Sequence, residues 1–172
     1  MTAIRDADSL AFVAGFDLDS TIANTEHRRH LMPHVTPGST WDDYAAACPD
    51  DPPMEGTIAV ICALWPTHQI HIVSGRSTSA RELTKDWLER HGVPWDVLHL
   101  RGPGEVTENG LAKAQYLVRL RERGLVPVVF FEDWRPVAEI IRDVAGVPVV
   151  LIDAGHHGEY ESGPDPAKAA TQ

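Results

Sequence analysis

Short, mostly apolar runs alternate with longer stretches of helical spacing along most of the chain. The runs are apolar on successive positions, which is typical of strands buried on both faces; they cover residues 11–17, 70–73, 96–100, 126–131 and 147–153. The stretches between them have apolar side chains at helical spacing, and glycine follows several of them; they cover residues 54–64, 78–91, 111–123 and 136–145. This alternation predicts an α/β, doubly wound (Rossmann-like) parallel sheet of five strands. We expect the strand order 3-2-1-4-5, with the first strand central.

The segment from about residue 24 to 68 is predicted to be a small helical insertion after the first strand. Thr40 can cap a short helix there, and prolines interrupt the segment on both sides. Because the insertion is too short for a large cap domain, we expect a fairly open site. Residues 1–155 are expected to form one domain, and the polar residues 156–172 a flexible tail.

Composition narrows the classes of function. The chain has 172 residues, a formal net charge of −10 and a sequence pI near 5.2. An acidic surface argues against an extended nucleic acid footprint and against an anionic membrane surface. No apolar run approaches the ~20 residues that span a bilayer, and Cys48 and Cys62 lack the spacing of a zinc site. We therefore expect a cytoplasmic protein. The oligomeric state is left open.

Polar groups follow three of the predicted strands. Strand one ends at Asp17 and Asp19, strand two at Ser74, Gly75 and Arg76, and strand four at Glu132 and Asp133. The carboxyl ends of parallel strands meet at one edge, so these groups are expected in one crevice, with Lys113 pointing at the same edge. Clustered carboxylates repel each other, and Mg²⁺ relieves that repulsion with oxygen ligands. A serine hydroxyl and a lysine beside them indicate that a phosphate also binds.

These groups predict a phosphoryl-transfer site. Asp17 could attack phosphorus and form an aspartyl-phosphate, and Asp19 could move the protons. We assign the catalytic, phosphate- or substrate-binding and metal-binding roles as follows. The catalytic residues are Asp17, Asp19 and Lys113; the phosphate- or substrate-binding residues are Ser74, Gly75, Arg76, Ser20, Thr21 and Arg28; and the metal-binding residues are Asp17, Asp19, Asp133 and Glu132. Asp19 belongs to the metal-binding set only through the resemblance of its motif to a known family.

Four segments, in order, resemble the motifs of the haloacid dehalogenase-like (HAD) phosphatases: FDLDSTIANT, IVSGRS, the isolated Lys113 and FFEDW. The resemblance covers roughly residues 11–153. It implies that Asp17 is the nucleophile, and that Asp19 is the general acid and base and also gives its backbone carbonyl to Mg²⁺. It also implies that Ser74 and Lys113 hold the phosphoryl group and that Asp133 ligates the metal.

Within that superfamily the chain looks most similar to the phosphatase domains of polynucleotide kinase type. The shared features are TWDDY, the GRS turn, WLERHGVPWDVLHLR and Trp134-Arg135. The resemblance implies a phosphorylated substrate, either a nucleic acid 3′-phosphate end or a nucleotide. The chain departs from the pattern in lacking a GxxxxGK[ST] loop, in the loop GPGEVTEN and in having Glu132 where an aspartate is common.

Two alternatives remain at this stage. The chain could be a nucleoside monophosphate or small-metabolite phosphatase, or, in another class, a catalytically silent magnesium or nucleotide-binding module. Several residue assignments also have ordinary alternatives; Glu132 could lie just outside a metal site in which Asp133 alone is the acidic ligand from strand four. Arg28 lies in the basic segment EHRRH, which could be a solvated helix face or could receive a nucleotide or nucleic acid phosphate. Lys113 could be a solvated helix lysine.

Overall fold

The computed structural model describes residues 11–102 and 104–154. Within these ranges five strands form one parallel sheet: β1 Phe12–Phe16, β2 Gln69–Ser77, β3 Val97–Arg101, β4 Val126–Glu132 and β5 Val149–Leu151. Their order across the sheet is β3-β2-β1-β4-β5. The predicted fold class and strand order are therefore confirmed. The predicted tail at 156–172 lies outside the described residues, and the division into one domain and a tail stays a prediction.

Five α-helices accompany the strands: α1 Trp41–Ala46, α2 Glu55–Leu64, α3 Arg81–Arg90, α4 Asn109–Glu122 and α5 Arg135–Ile140. Helix α5 is shorter than the predicted helix over 136–145, because it continues as a π-helix over Ile141–Ala145. Gly146 ends that segment at φ +60°. Strand β5 is also shorter than predicted, since it begins only after Pro148, which has no N–H to donate to a ladder.

Apolar side chains fill both faces of the sheet. On one face Phe16 and Phe131 stack with ring centroids 4.4 Å apart, and helices α2 and α3 cover them. On the other face α4 and α5 pack over Phe130. A Cβ on Gly15 would lie 2.4 Å from the Phe130 ring, so only glycine allows this close approach. Strand β1 is therefore central and, after its exposed first residue Phe12, buried, as its apolar sequence predicts.

Strands β1, β2 and β4 end at the same edge of the sheet, and the segment after β1 folds back beside that edge. The Asp17 amide donates to Phe131 O at 2.9 Å, which aligns the ends of β1 and β4. The insertion contains a 3₁₀ helix over Glu26–Leu31, α1, a second 3₁₀ helix and α2. Met54 N donates to Ile22 O at 2.8 Å and ties the insertion to the turn after β1.

No helix among the described residues combines the length and the apolarity needed to cross a membrane. The cytoplasmic location stays a prediction.

Candidate active site

A buried lysine joins the ends of β1 and β4. Lys113 Nζ lies 2.8 Å from Asp17 Oδ1 and 2.7 Å from Glu132 Oε2. Asp17 follows β1 directly, Glu132 is the last residue of β4, and Lys113 lies in the second turn of α4. Only 2% of the Lys113 side chain is exposed, so the alternative of a solvated helix lysine does not describe it.

The electrostatics of this group are those of crowded carboxylates. Burial raises the pKa of Asp17 to about 7, and Glu132 and Asp19 add to the rise, although Lys113 opposes it. Burial, together with the neighbouring Glu132 and Asp17, also raises the pKa of Asp133 well above its ordinary value. For Lys113 burial alone would lower the pKa, but Asp17 and Glu132 outweigh it and raise that pKa. The cluster is therefore short of positive charge.

The chemistry of these donors suits a divalent cation. Asp17, Glu132 and Asp133 each offer a carboxylate oxygen, and the three atoms lie within 4.8 Å of one another. Three ionised carboxylates beside one ammonium leave a formal charge of −2, which a hard divalent ion would neutralise. Residues from the metal and catalytic assignments thus come together here. The Asp19 side chain is not part of this group, and a contact from its backbone carbonyl stays a prediction.

A second group of charges surrounds Asp19. Arg28 Nη2 lies 2.5 Å from Asp19 Oδ1, and Arg76 Nη2 donates to the same oxygen. Arg28 Nε and Nη2 also donate to Asp51, at 2.6 and 2.8 Å. Arg76 Nη2 lies 3.4 Å from Asp51 Oδ2, and Arg76 Nη1 donates to Thr84 at 3.0 Å. Two aspartates and two arginines from four separate segments of the chain therefore form one network.

This network buries Arg28 and keeps the Asp19 side chain ionised. Burial would raise the pKa of Asp19, but Arg76 and then Arg28 outweigh it and lower that pKa to about 2. Arg28 is fully buried, with its guanidinium 4.0 Å from the Tyr44 ring centroid, so it does not lie on a solvated helix face. Its assignment as a substrate-binding residue stays a prediction.

The hydroxyl groups assigned to phosphate binding lie around the same edge. Ser74 Oγ accepts from Arg76 N at 3.2 Å. Ser20 has a left-handed φ of +62°, and its hydroxyl lies 2.8 Å from Thr25 Oγ1. Thr21 Oγ1 donates to Asp133 Oδ1 at 3.5 Å. Thr21 thus contacts Asp133, and Ser74 lines a cavity together with Lys113, whereas the phosphate-binding roles of these residues stay predictions.

Two residues near the site were missed by the sequence analysis. Asp51 lies in a proline-rich turn of the insertion, and nothing in its spacing relates it to Asp19. Arg101 is the last residue of β3, and it lines a cavity together with Ser74 and Lys113. Its position at a strand end is the one signal that could have found it, because strand ends on this edge meet.

Comparisons with known proteins place this geometry in a known fold. A chain of the Pnkp1/Rnl/Hen1 RNA repair complex superposes with a TM-score of 0.70 at 18% identity, covering 87% of this chain and 44% of that one. A haloacid dehalogenase-like family hydrolase from Streptococcus pneumoniae gives a TM-score of 0.56 at 16% identity, covering 84% and 85% of the two chains. The chain has the haloacid dehalogenase-like fold. The resemblance in its motifs is thus confirmed at the level of the fold.

Sequence comparison adds one relative of this haloacid dehalogenase-like chain. A protein of Halalkalibacterium halodurans, provisionally named a nucleotidase, is 26% identical over 90 residues, which is 52% of this chain and 40% of the relative. No family profile matches the sequence. The chain therefore spans less than half the length of that relative and of the repair-complex chain.

Proposed function

We propose that this chain is a Mg²⁺-dependent phosphomonoester hydrolase that acts through an aspartyl-phosphate intermediate. One observation carries the proposal: a buried lysine bridges Asp17 and Glu132 in a cluster of three carboxylates, and its single positive charge does not balance their negative charge. A lysine and a cation together can neutralise a phosphoryl group while a carboxylate reaches its phosphorus. Residues Asp17, Glu132 and Asp133 would hold the magnesium. When bound, Mg²⁺ would offset the charge on the phosphoryl oxygens.

The residues of the chain would divide the reaction into two steps. In the first step an Asp17 oxygen bonds to phosphorus while the bond from phosphorus to the leaving alcohol breaks, and the alcohol oxygen takes up a proton. In the second step water attacks the aspartyl-phosphate, the bond to Asp17 breaks, and phosphate leaves. Lys113 would stabilise the added negative charge in both steps, because its ammonium already touches the Asp17 oxygen.

Asp19 would move the protons in these two steps. Since Arg76 and Arg28 keep its pKa near 2, Asp19 is a carboxylate in the free chain and can accept the proton of the attacking water. To act as the acid in the first step it must be protonated. The negative charge of a phosphoryl group close by would favour protonation by raising its pKa.

The substrate we propose is a nucleic acid 3′-phosphate end or a nucleotide. Support comes from the motifs of polynucleotide kinase type and from two similar proteins, one in an RNA repair complex and one named provisionally as a nucleotidase. The second of these also favours a nucleoside monophosphate as the alternative substrate. A silent module is less well supported, because the Asp17–Lys113 ion pair and Asp19 are both present. A cytoplasmic location belongs to the same proposal.

Asp17→Asn tests the chemistry, because the amide keeps the shape of the side chain but is a poor nucleophile. Phosphate release with Mg²⁺ should fall by at least about 1,000-fold relative to the unaltered chain. Asp86→Asn is the matched control, since Asp86 is exposed on α3, and it should keep full activity. Turnover by Asp17→Asn at the rate of the control would rule out the covalent mechanism.

A substrate panel tests the specificity with the same assay. It compares a 3′-phosphorylated oligonucleotide, the matching nucleoside 3′- and 5′-monophosphates, and β-glycerophosphate. The proposed substrate class predicts the highest kcat/KM for the oligonucleotide or a mononucleotide. Equal values for β-glycerophosphate would contradict it and favour a small-metabolite phosphatase. An absence of turnover on every substrate would contradict the enzymatic proposal itself.

A further inference from the structure

A small cavity lies beside the lysine of the candidate site. Ser74, Gly75, Asn109 and Lys113 line it, together with residues from the end of β3 and from the loop that follows. Its free volume is about 10 Å³, which is room for one water-sized atom. An oxygen atom of a phosphoryl group has that size. The cavity therefore continues the candidate phosphate site in the direction of β3.

Arg101, which also lines this cavity, has donors without partners. Its Nε and Nη2 atoms are buried and make no hydrogen bond, and no other buried side-chain nitrogen or oxygen shares this property in residues 11–102 and 104–154. Glu105 lines the same cavity, but its Oε2 accepts from Gly102 N at 3.3 Å. Leaving a charged donor buried and unsatisfied is costly, about 1–3 kcal/mol or more. Such a cost is ordinarily offset by a hydrogen-bonding partner, which at a cavity is a water, an ion or a ligand.

We infer that Arg101 binds an oxygen of the substrate's phosphoryl group, as a further phosphate-binding residue beside Ser74 and Lys113. A guanidinium whose Nε and Nη2 atoms both have free N–H groups suits an anionic phosphoryl oxygen, since charge-assisted hydrogen bonds of this type are strong and directional. The positive charge is also needed here, because Asp17 and Glu132 already engage the ammonium of Lys113. This inference rests on the proposed phosphatase function.

The hydrogen bonds of Arg101 differ from those of Arg81, an arginine that stabilises the fold. Arg81, at the start of α3, donates through Nη1 to Leu98 O at 3.1 Å and so helps to hold β3. Arg101 makes no comparable bond through its buried Nε and Nη2. Removing the guanidinium of Arg101 should therefore not lower the thermal stability, whereas removing that of Arg81 should.

The test compares Arg101→Met, Arg101→Lys and the control Arg81→Met. Binding of inorganic phosphate is measured by calorimetry with Mg²⁺ present, KM and kcat are measured with p-nitrophenyl phosphate, and Tm is measured without phosphate. Arg101→Met should weaken phosphate binding by about 10- to 100-fold, the loss expected for charged hydrogen bonds, and should raise KM by a similar factor. Arg101→Lys should recover part of the affinity. The Tm of Arg101→Met should equal or exceed that of the unaltered chain.

Two results would overturn the inference: phosphate affinity of Arg101→Met equal to that of Arg81→Met, or a Tm of Arg101→Met lower than that of Arg81→Met. A different result would contradict the proposed function. If the unaltered chain does not hydrolyse p-nitrophenyl phosphate or the substrate panel, that function is wrong. A loss of phosphate affinity confined to the Arg101 variants would still support the binding site.

Discussion

At the scale of single residues, Asp51 holds the group around Asp19 together. Its side chain is fully buried, and it accepts from Arg28 at 2.6 Å and from His27, with Arg76 at 3.4 Å. Its backbone carbonyl accepts from the Trp87 indole at 2.8 Å, which fixes the turn itself. Asp51 therefore positions the two arginines, which in turn orient the Asp19 side chain and keep it ionised.

Asp51→Asn should destabilise the protein by about 3 kcal/mol, because it leaves two buried guanidinium groups with one carboxylate. Urea unfolding at pH 7 measures the change. Asp50→Asn is the matched control, since Asp50 is the exposed neighbour, and its effect should stay within about 0.5 kcal/mol. Equal free energies of unfolding for the two variants would show that Asp51 does not hold the network.

These residues also show what the sequence could predict of the site. Asp17 and Asp133 could be predicted because parallel strands end at a common edge, so the ends of apolar runs locate them without any coordinates. Lys113 could be predicted from its place near the start of the helix before the fourth strand, which points it at the same edge. Asp51 could not be found in this way. Its role depends on how the short helices of the insertion fold back on β1 and β2, and the spacing of residues in that segment does not encode that path.

At the scale of elements, strand β2 carries polar side chains toward α4. His71 is 2% exposed, and its Nδ1 lies 2.8 Å from the Tyr116 hydroxyl while its Nε2 lies 3.0 Å from Gln69 Oε1.

Apolar runs predicted most strands well, but β2 extends to Gln69 and Ser77, beyond its apolar run. The π-helical turn after α5 was also missed, because a shift in hydrogen-bond register leaves no mark on composition.

The buried imidazole predicts a loss of stability in acid. Burial lowers the pKa of His71 to about 4 in the folded chain, against an ordinary value of 6.5. The unfolded chain therefore binds more protons between these values, so the stability present above pH 6.5 is lost as the pH falls through 4. The difference is worth about 3 kcal/mol.

Urea unfolding of the unaltered chain and of His71→Gln between pH 7 and pH 4 tests this prediction. The unaltered chain should lose more stability on acidification than the variant, which has no group to protonate there. His30→Gln, at an exposed histidine of the insertion, should follow the unaltered chain. Parallel curves for all three proteins would show that His71 does not titrate as its burial implies.

At the scale of the whole molecule, the order of the strands brings distant parts of the sequence to one edge. Short connections and right-handed crossovers leave few ways to arrange alternating strands and helices, so a doubly wound parallel sheet could be predicted from the pattern. The same arrangement concentrates negative charge. Asp17, Glu132 and Asp133 meet in a chain that already has a net charge of −10, and their mutual repulsion opposes folding.

Mg²⁺ should therefore stabilise the folded chain, since ligand binding to the native state alone raises the free energy of unfolding by about 2.7 kcal/mol at 100 times Kd. Thermal unfolding after EDTA treatment, followed by titration with Mg²⁺, measures the shift in Tm without any substrate. Asp133→Asn should abolish most of the shift. Without Mg²⁺ this variant should melt at or above the Tm of the unaltered chain, because one repelling charge is gone. Asp143→Asn, at an exposed position outside the cluster, should keep the full Mg²⁺ response. If both variants respond to Mg²⁺ equally, the three carboxylates do not hold the ion.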